Sequence, residues 1–256
     1  MKQEVRRYPD LEALSEAAAE FICTEAQECQ EARGLFTLVL AGGKTPELLY
    51  QNLVQPSFNV RMPWSHTHFF WGDERCVSPD HPDSNFGMVS RALISKVPIP
   101  PQNVHRIEAE NGTPGEAAKA YERTLRRFFG PAGNGNSTPS SSLQEQRFPS
   151  FDLVMLGVGK DGHTASLFPG DPVVEEQERW VAAVPNPRGS PPVPRVTLTL
   201  PVINRAKCVL FLVSGAEKRD VVRLVINDPQ APSRFYPAAR VRPQGRLVWL
   251  LDEEAS

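Results

Sequence analysis

A short apolar run that ends in a glycine turn constrains this chain more than any other feature. Leu153 to Leu156 carry no charge, which suits a strand buried on both faces of a parallel sheet. The run stops at Gly157. Gly159 and Gly162 then allow a tight turn that delivers Asp161, His163 and Thr164 at the carboxyl end of the strand, the edge where open α/β sheets bind ligands. A GVG triplet alone is ordinary turn chemistry. The full stretch from Phe151 to Gly170, FDLVMLGVGKDGHTASLFPG, gathers an imidazole, a carboxylate and a hydroxyl on one turn, and that marks a candidate reactive site.

The same pattern recurs along the chain. Leu35 to Leu40 reads as a buried strand that runs into AGGKTP before a helix starting near Pro46. Gly42 and Gly43 let backbone amides approach an anion, the helix N-terminus adds partial positive charge, and Lys44 and Thr45 offer side-chain donors. His68 to Trp71 ends a third strand, and WGDER sets Asp73, Glu74 and Arg75 at its carboxyl end. Three charges after an aromatic run also describe a solvated turn, but at this edge the Arg75 fork is placed to meet phosphate. Cys208 to Val213 is a further buried strand, followed by Gly215 and a helix from about Ala216 to Asn227 that places Lys218 at the same kind of edge.

Between these units lie elements with no chemistry of their own. Asp10 caps a helix from Leu11 to about Ala32, which Gly34 ends. Asp83 or Ser84 caps a helix through Met88, Leu93 and Ile94, and Glu116 to Phe129 forms an amphipathic helix. The segment 130–147 is rich in Gly, Ser, Pro and Asn and is expected to be a mobile surface loop rather than a domain boundary. Trp180 to Val184 and Arg195 to Leu200 read as strands, and Leu247 to Leu251 is expected to close the sheet. No internal repeat is present.

Composition excludes several function classes. With 256 residues, 40% apolar residues and a net charge of −2, the chain has material for a core and no field to attract nucleic acid or anionic lipid. The first residues contain no apolar signal-like run, and no stretch of about 18 apolar residues occurs, so no membrane association is expected. Cys23, Cys29, Cys76 and Cys208 lack metal-ligand spacing, which predicts a reducing, cytoplasmic setting and no structural metal.

LAGGKTP at residues 40 to 46, WGDER at 71 to 75 with DSN at 83 to 85, GVGKDGHTASLFPG at 157 to 170 and RVTLTLP at 195 to 201 together resemble the 6-phosphogluconolactonases. The resemblance spans nearly the whole chain in the family's order. It implies a single three-layer α/β/α domain over residues 1–256, Rossmann-like, with a mostly parallel sheet and related to glucosamine-6-phosphate isomerases. It further implies hydrolysis of 6-phosphoglucono-1,5-lactone in the pentose phosphate pathway with no required cofactor. The expected assembly is a monomer or weak homodimer. Family members often carry serine where Lys44 stands.

Opening a lactone needs an activated water, donors for the oxyanion and an anchor for the phosphate. His163 is the natural base, because an unperturbed imidazole titrates near ~6.5. Asp161 or Asp73 orients it or the basic residues. The amides of Gly42, Gly43 or Gly159 are candidate donors, and Gly162 belongs to the same turn. Arg75, Arg195 and Lys218 supply countercharge. The nearest alternative is an amino-sugar phosphate isomerase-deaminase, whose motif resembles GHIAFNEPG. Here Leu167 and Phe168 stand in place of Asn-Glu, which favours simple hydrolysis. A non-catalytic sugar-phosphate sensor is the other alternative, and it would need a DNA-binding or partner domain that the acidic first helix does not offer.

Overall fold

The computed structural model describes residues 2–130, 148–227 and 235–256. Ten strands are present among them: β1 (Lys2–Tyr8), β2 (Phe36–Leu40), β3 (Thr67–Trp71), β4 (Asp73–Arg75), β5 (Val104–His105), β6 (Leu153–Leu156), β7 (Val181–Val184), β8 (Arg195–Leu198), β9 (Cys208–Val213) and β10 (Arg246–Asp252). The helices are α1 (Leu11–Arg33), α2 (Lys44–Val54), α3 (Pro56–Asn59), α4 (Asn85–Ala92), α5 (Pro114–Phe129), α6 (Leu200–Asn204) and α7 (Arg219–Asn227). Of the surface loop expected over 130–147, Gly130 is the C-cap of α5 and residues 131–147 lie outside the described residues.

Seven strands form the central sheet in the order β1-β10-β9-β6-β2-β3-β5, with every neighbouring pair parallel. The architecture is the three-layer α/β/α arrangement expected of such a sheet. From β2 the chain moves outward through β3 to β5, whereas from β6 it moves the other way through β9 to β10. The strand order therefore reverses between β2 and β6, and a crevice opens outside the carboxyl ends of strands at such a switch point. These are the strands that carry the AGGKTP and GVGKDGHTAS turns.

The central strands form because nothing in them needs water. All residues of β2, β6 and β9 are buried, and they pack with Phe69, Phe70, Trp71 and Trp249 in one contiguous core. Helix α1 covers this core with Leu14, Ala18, Phe21 and Ile22. Its N-terminus is closed by Asp10, which accepts from the Ala13 amide at 2.8 Å, and its C-terminus by Gly34 at φ 79°. Asp10→Ala should lower stability by about 0.5–2 kcal/mol, read as a lower denaturation midpoint at unchanged slope.

A second sheet of three antiparallel strands, β4-β8-β7, sits beside the first. The two are joined at Gly72, whose amide donates to Leu40 O at 3.1 Å and whose carbonyl accepts from Leu198 N at 2.8 Å. Helix α5 fastens the junction: the buried Tyr121 hydroxyl accepts from Trp71 N and donates to Trp71 O.

Three strands differ from the sequence expectation. Lys2–Tyr8 is assigned no element from the sequence, yet it is the edge strand beside β10, so β1 rather than Leu247–Leu251 closes the sheet. An edge strand needs only backbone pairing, and its charges discourage further pairing. Asp73–Arg75 is strand β4 rather than a turn, because its partner β8 lies more than a hundred residues away. Val104–His105 is too short to show any pattern.

Candidate active site

The switch point holds a cavity of about 330 Å³, within the size range of small-molecule sites. Its lining brings together Gly42, Gly43, Lys44, Thr45, Asp73, Arg75, Gly159, His163, Arg195 and Lys218 from five separate stretches of sequence. Asp161 and Gly162 are not part of that lining.

The first wall is the turn after β2. Gly43 has φ 108° and begins α2 without a side-chain cap, and no hydrogen bond among the described residues uses the Gly42 or Gly43 amide. Gly42 is required for a steric reason: a Cβ there would stand 1.8 Å from Asn85 Oδ1. Tyr50 braces the turn from below, its hydroxyl exchanging hydrogen bonds with Ala41 N and Ala41 O at 3.0 and 2.8 Å.

The second wall carries the imidazole. Gly162 amide donates to Gly159 O and Gly159 amide to His163 O, each at 2.9 Å, so the chain folds back on itself directly after β6. Gly159 is therefore not an available oxyanion donor, and its part is to make room, since a Cβ would lie 2.0 Å from His163 Nδ1. Gly162, at φ 80°, faces the Tyr236 ring, so its role is to pack the turn rather than to meet a ligand. Asp161 Oδ1 lies 2.6 Å from His163 Nδ1. Because a carboxylate only accepts, the neutral form of the ring carries its proton on Nδ1 and its lone pair on Nε2. Burial pushes the Asp161 carboxyl up, but hydrogen bonding to His163, together with the charge of that ring when it is protonated, outweighs it and leaves the group below its ordinary range. The ring rests against Phe168 at 4.7 Å between centroids, and the His163 side chain remains 30% exposed.

Asp73 does not share that task. Its carboxylate accepts from Ser166 Oγ at 2.6 Å and from Asn85 Nδ2 at 3.3 Å, which ties the WGDER strand to the histidine turn and to α4. Of the two carboxylates left open by the sequence, Asp161 is the one against the imidazole. Ala165, between the two anchored segments, adopts φ 49°, a left-handed backbone that L side chains rarely take. The expected cap of α4 is Ser84, accepting from Gly87 N, rather than Asp83.

The third wall is cationic. In the antiparallel β4–β8 pair Arg75 stands directly opposite Arg195, an arrangement of like charges that destabilises a sheet unless an anion intervenes. Arg75 Nη1 donates to Asp83 O at 2.7 Å and Arg195 Nη2 to Pro191 O at 3.0 Å, yet both Nε atoms are buried with no partner among the described residues. Arg195 is only 2% exposed, with its guanidinium 5.4 Å from the Phe168 ring centre. Burial lowers its pKa, with Asp73 opposing and Arg75 adding to the shift. Lys218 faces the cavity from the turn after β9, where burial likewise lowers its pKa against the pull of Glu217.

Sequence reasoning did not assign Asn85, Ser190, Ser214 or Glu217, which also line the cavity. Asn85 and Ser214 had signals: one lies in the DSN motif, the other directly follows a buried strand at the reactive edge. Among the described residues no group of three or more His, Cys, Asp or Glu is arranged to hold a metal ion, the four cysteines are free, and no helix is long and apolar enough to cross a membrane.

Known proteins share this organisation. Residues 9–249 match the family model described as glucosamine-6-phosphate isomerases/6-phosphogluconolactonase. A 6-phosphogluconolactonase of Nostoc sp. is 40% identical over 255 residues, covering 100% of this chain and 98% of the relative. One from Synechocystis sp. is also 40% identical, covering 94% and 92%. Among solved structures, 6-phosphogluconolactonase from Trypanosoma brucei superposes with a TM-score of 0.83 at 30% identity, covering 99% of this chain and 97% of that one. The fold extends to a monomeric glucosamine-6-phosphate deaminase, at a TM-score of 0.79 and 20% identity, covering 98% of each chain. This chain belongs to the glucosamine-6-phosphate isomerase/6-phosphogluconolactonase family.

Proposed function

We propose that the protein hydrolyses 6-phospho-D-glucono-1,5-lactone to 6-phospho-D-gluconate, the second step of the oxidative pentose phosphate pathway, with His163 as general base. The observation that carries this reading is one cavity holding both an Asp161-oriented imidazole and two in-register arginines with unpartnered Nε atoms. The first is equipped for water activation, the second for a phosphate. Relatives named 6-phosphogluconolactonase at 40% identity over nearly full length support it.

In this mechanism His163 Nε2 takes a proton from water as its oxygen attacks the lactone carbonyl carbon. The carbonyl π electrons move onto oxygen, and amides of the Gly42–Gly43 turn are placed to stabilise the oxyanion. Collapse of the tetrahedral intermediate breaks the bond to the ring oxygen, which receives the proton from the imidazolium and becomes a hydroxyl. Asp161 keeps the ring in one tautomer and stabilises its charged form. Arg75 and Arg195 hold the phosphate, Lys44, Thr45 and Lys218 complete the polar wall, and Asp73 sets the position of Ser166 and Asn85. Leu167 and Phe168 are fully buried and add no further acid, so the extra proton transfers of an isomerase-deaminase have no group at those positions.

The proposal takes residues 1–256 as one working domain, since both sheets contribute to the cavity. It also places the protein in the cytoplasm, where four free thiols stay reduced. The test is to generate 6-phosphogluconolactone in place and follow its loss beside the unphosphorylated lactone. The phosphate supplies remote binding energy, so the phosphorylated lactone should be consumed far faster. Equal rates on both lactones, or release of ammonia from glucosamine 6-phosphate, would overturn the reading.

A further inference from the structure

Among the buried carboxylates that the mechanism leaves unused, Asp252 is the one tied to a turn that lines the cavity. Asp252 ends β10 at 4% exposure, and its two oxygens gather donors from the neighbouring β9 turn: Ser214 Oγ to Oδ2, and Gly215 N to both Oδ1 and Oδ2 at 3.1 and 3.0 Å. Oδ1 also accepts from Ala255 N at 2.8 Å, which curls the following residues under the same carboxylate. Arg219 adds a second tie, donating through Nε to Glu254 O and through Nη2 to Glu253 O.

What this strap holds is the cationic turn of the cavity. Gly215 has φ 102°, and its carbonyl accepts from Lys218 N at 3.0 Å, so the amide fixed by Asp252 and the start of the turn bearing Lys218 belong to one residue. Ser214, Glu217 and Lys218 all line the cavity, whereas Asp252 does not. A lysine has four rotatable carbons, and its aim depends on how firmly the backbone beneath it is held.

We propose that Asp252 is a positioning residue for substrate binding: by fixing Ser214 and Gly215 it sets the backbone from which Lys218 meets an anionic oxygen of the sugar phosphate. This deepens the function proposed above and rests on it. A carboxylate suits the task because it accepts from three groups on two segments at once, and no neutral side chain of that size offers as many acceptor sites.

The test is a double-mutant cycle with full-length protein, read as KM, kcat and the dissociation constant for 6-phosphogluconate measured by calorimetry. Asp252→Ala should raise KM and the dissociation constant about tenfold, the usual worth of lost hydrogen bonds to a charged group, and leave kcat within about twofold. Asp252→Asn keeps one acceptor oxygen, so it should fall between Ala and wild type, and it guards against failure of the alanine variant to fold. Lys218→Met should raise the same two quantities, and Asp252→Asn combined with Lys218→Met should be no worse than Lys218→Met alone, because both act through one contact. If the Asp252 variants lose thermal stability while KM and the dissociation constant stay at wild-type values, or if the penalties add, the carboxylate merely anchors the strand end and the proposal fails. Absence of lactone turnover by the wild type, with the binding cycle still non-additive, would instead count against the proposed reaction and not against the strap.

Discussion

His163→Ala lowers kcat by about 10²–10⁴-fold and leaves KM and folding largely intact, the usual worth of a positioned acid-base group. The expectation follows from geometry. The ring is one-third exposed and packs against Phe168 along one face, so its loss opens the cavity without hollowing the core. Asp161→Asn should fall in the same direction and less far. The amide still occupies the space at Nδ1 but no longer dictates which ring nitrogen carries the proton. Kinetics corrected for spontaneous lactone opening, with circular dichroism to confirm the fold, provide the check. Wild-type kcat in His163→Ala would remove the imidazole from the chemistry.

The second large effect concerns affinity. Arg75→Met and Arg195→Met should each cost roughly 1.5–3 kcal/mol of binding to the phosphorylated lactone, seen mainly as a rise in KM. Two like charges set opposite each other in β4 and β8 repel, and the phosphate dianion of the proposed substrate would offset that repulsion on binding. Removing one arginine should therefore also relieve repulsion, so thermal stability without ligand is expected to hold or rise while affinity falls. The unphosphorylated lactone, lacking that dianion, should lose little. Wild-type KM in both variants would make these arginines structural.

Much of the candidate site was legible in the sequence because three of its segments, those with Gly42–Gly43, His163 and Lys218, follow strands buried on both faces. β2, β6 and β9 are uninterrupted apolar runs, and each stops at or near a glycine or small-residue turn that reaches the same edge. What stayed hidden depends on contacts between distant segments. Nothing local says that Arg75 pairs in register with Arg195, or that Asp73 turns toward Ser166 and Asn85 and leaves the imidazole to Asp161. The glycines show the same limit. Gly42, Gly159 and Gly162 stand out as glycines, but their separate reasons are Asn85, His163 and Tyr236, three neighbours that the fold supplies. Strand β1 was missed for an energetic reason: an edge strand buries little side chain, so its charged residues carry no apolar pattern.

The central claim is that a neutral His163 draws the proton from water, and the pH dependence of kcat tests it most directly. The wild-type rate, after subtraction of background hydrolysis, should fall as pH is lowered and the imidazole takes up a proton, because the protonated ring has no lone pair to offer at Nε2. His163→Ala should show no such acidic limb at its reduced rate. A variant that keeps near-normal kcat, or keeps the acidic limb, would contradict the account and assign the proton transfer to another group.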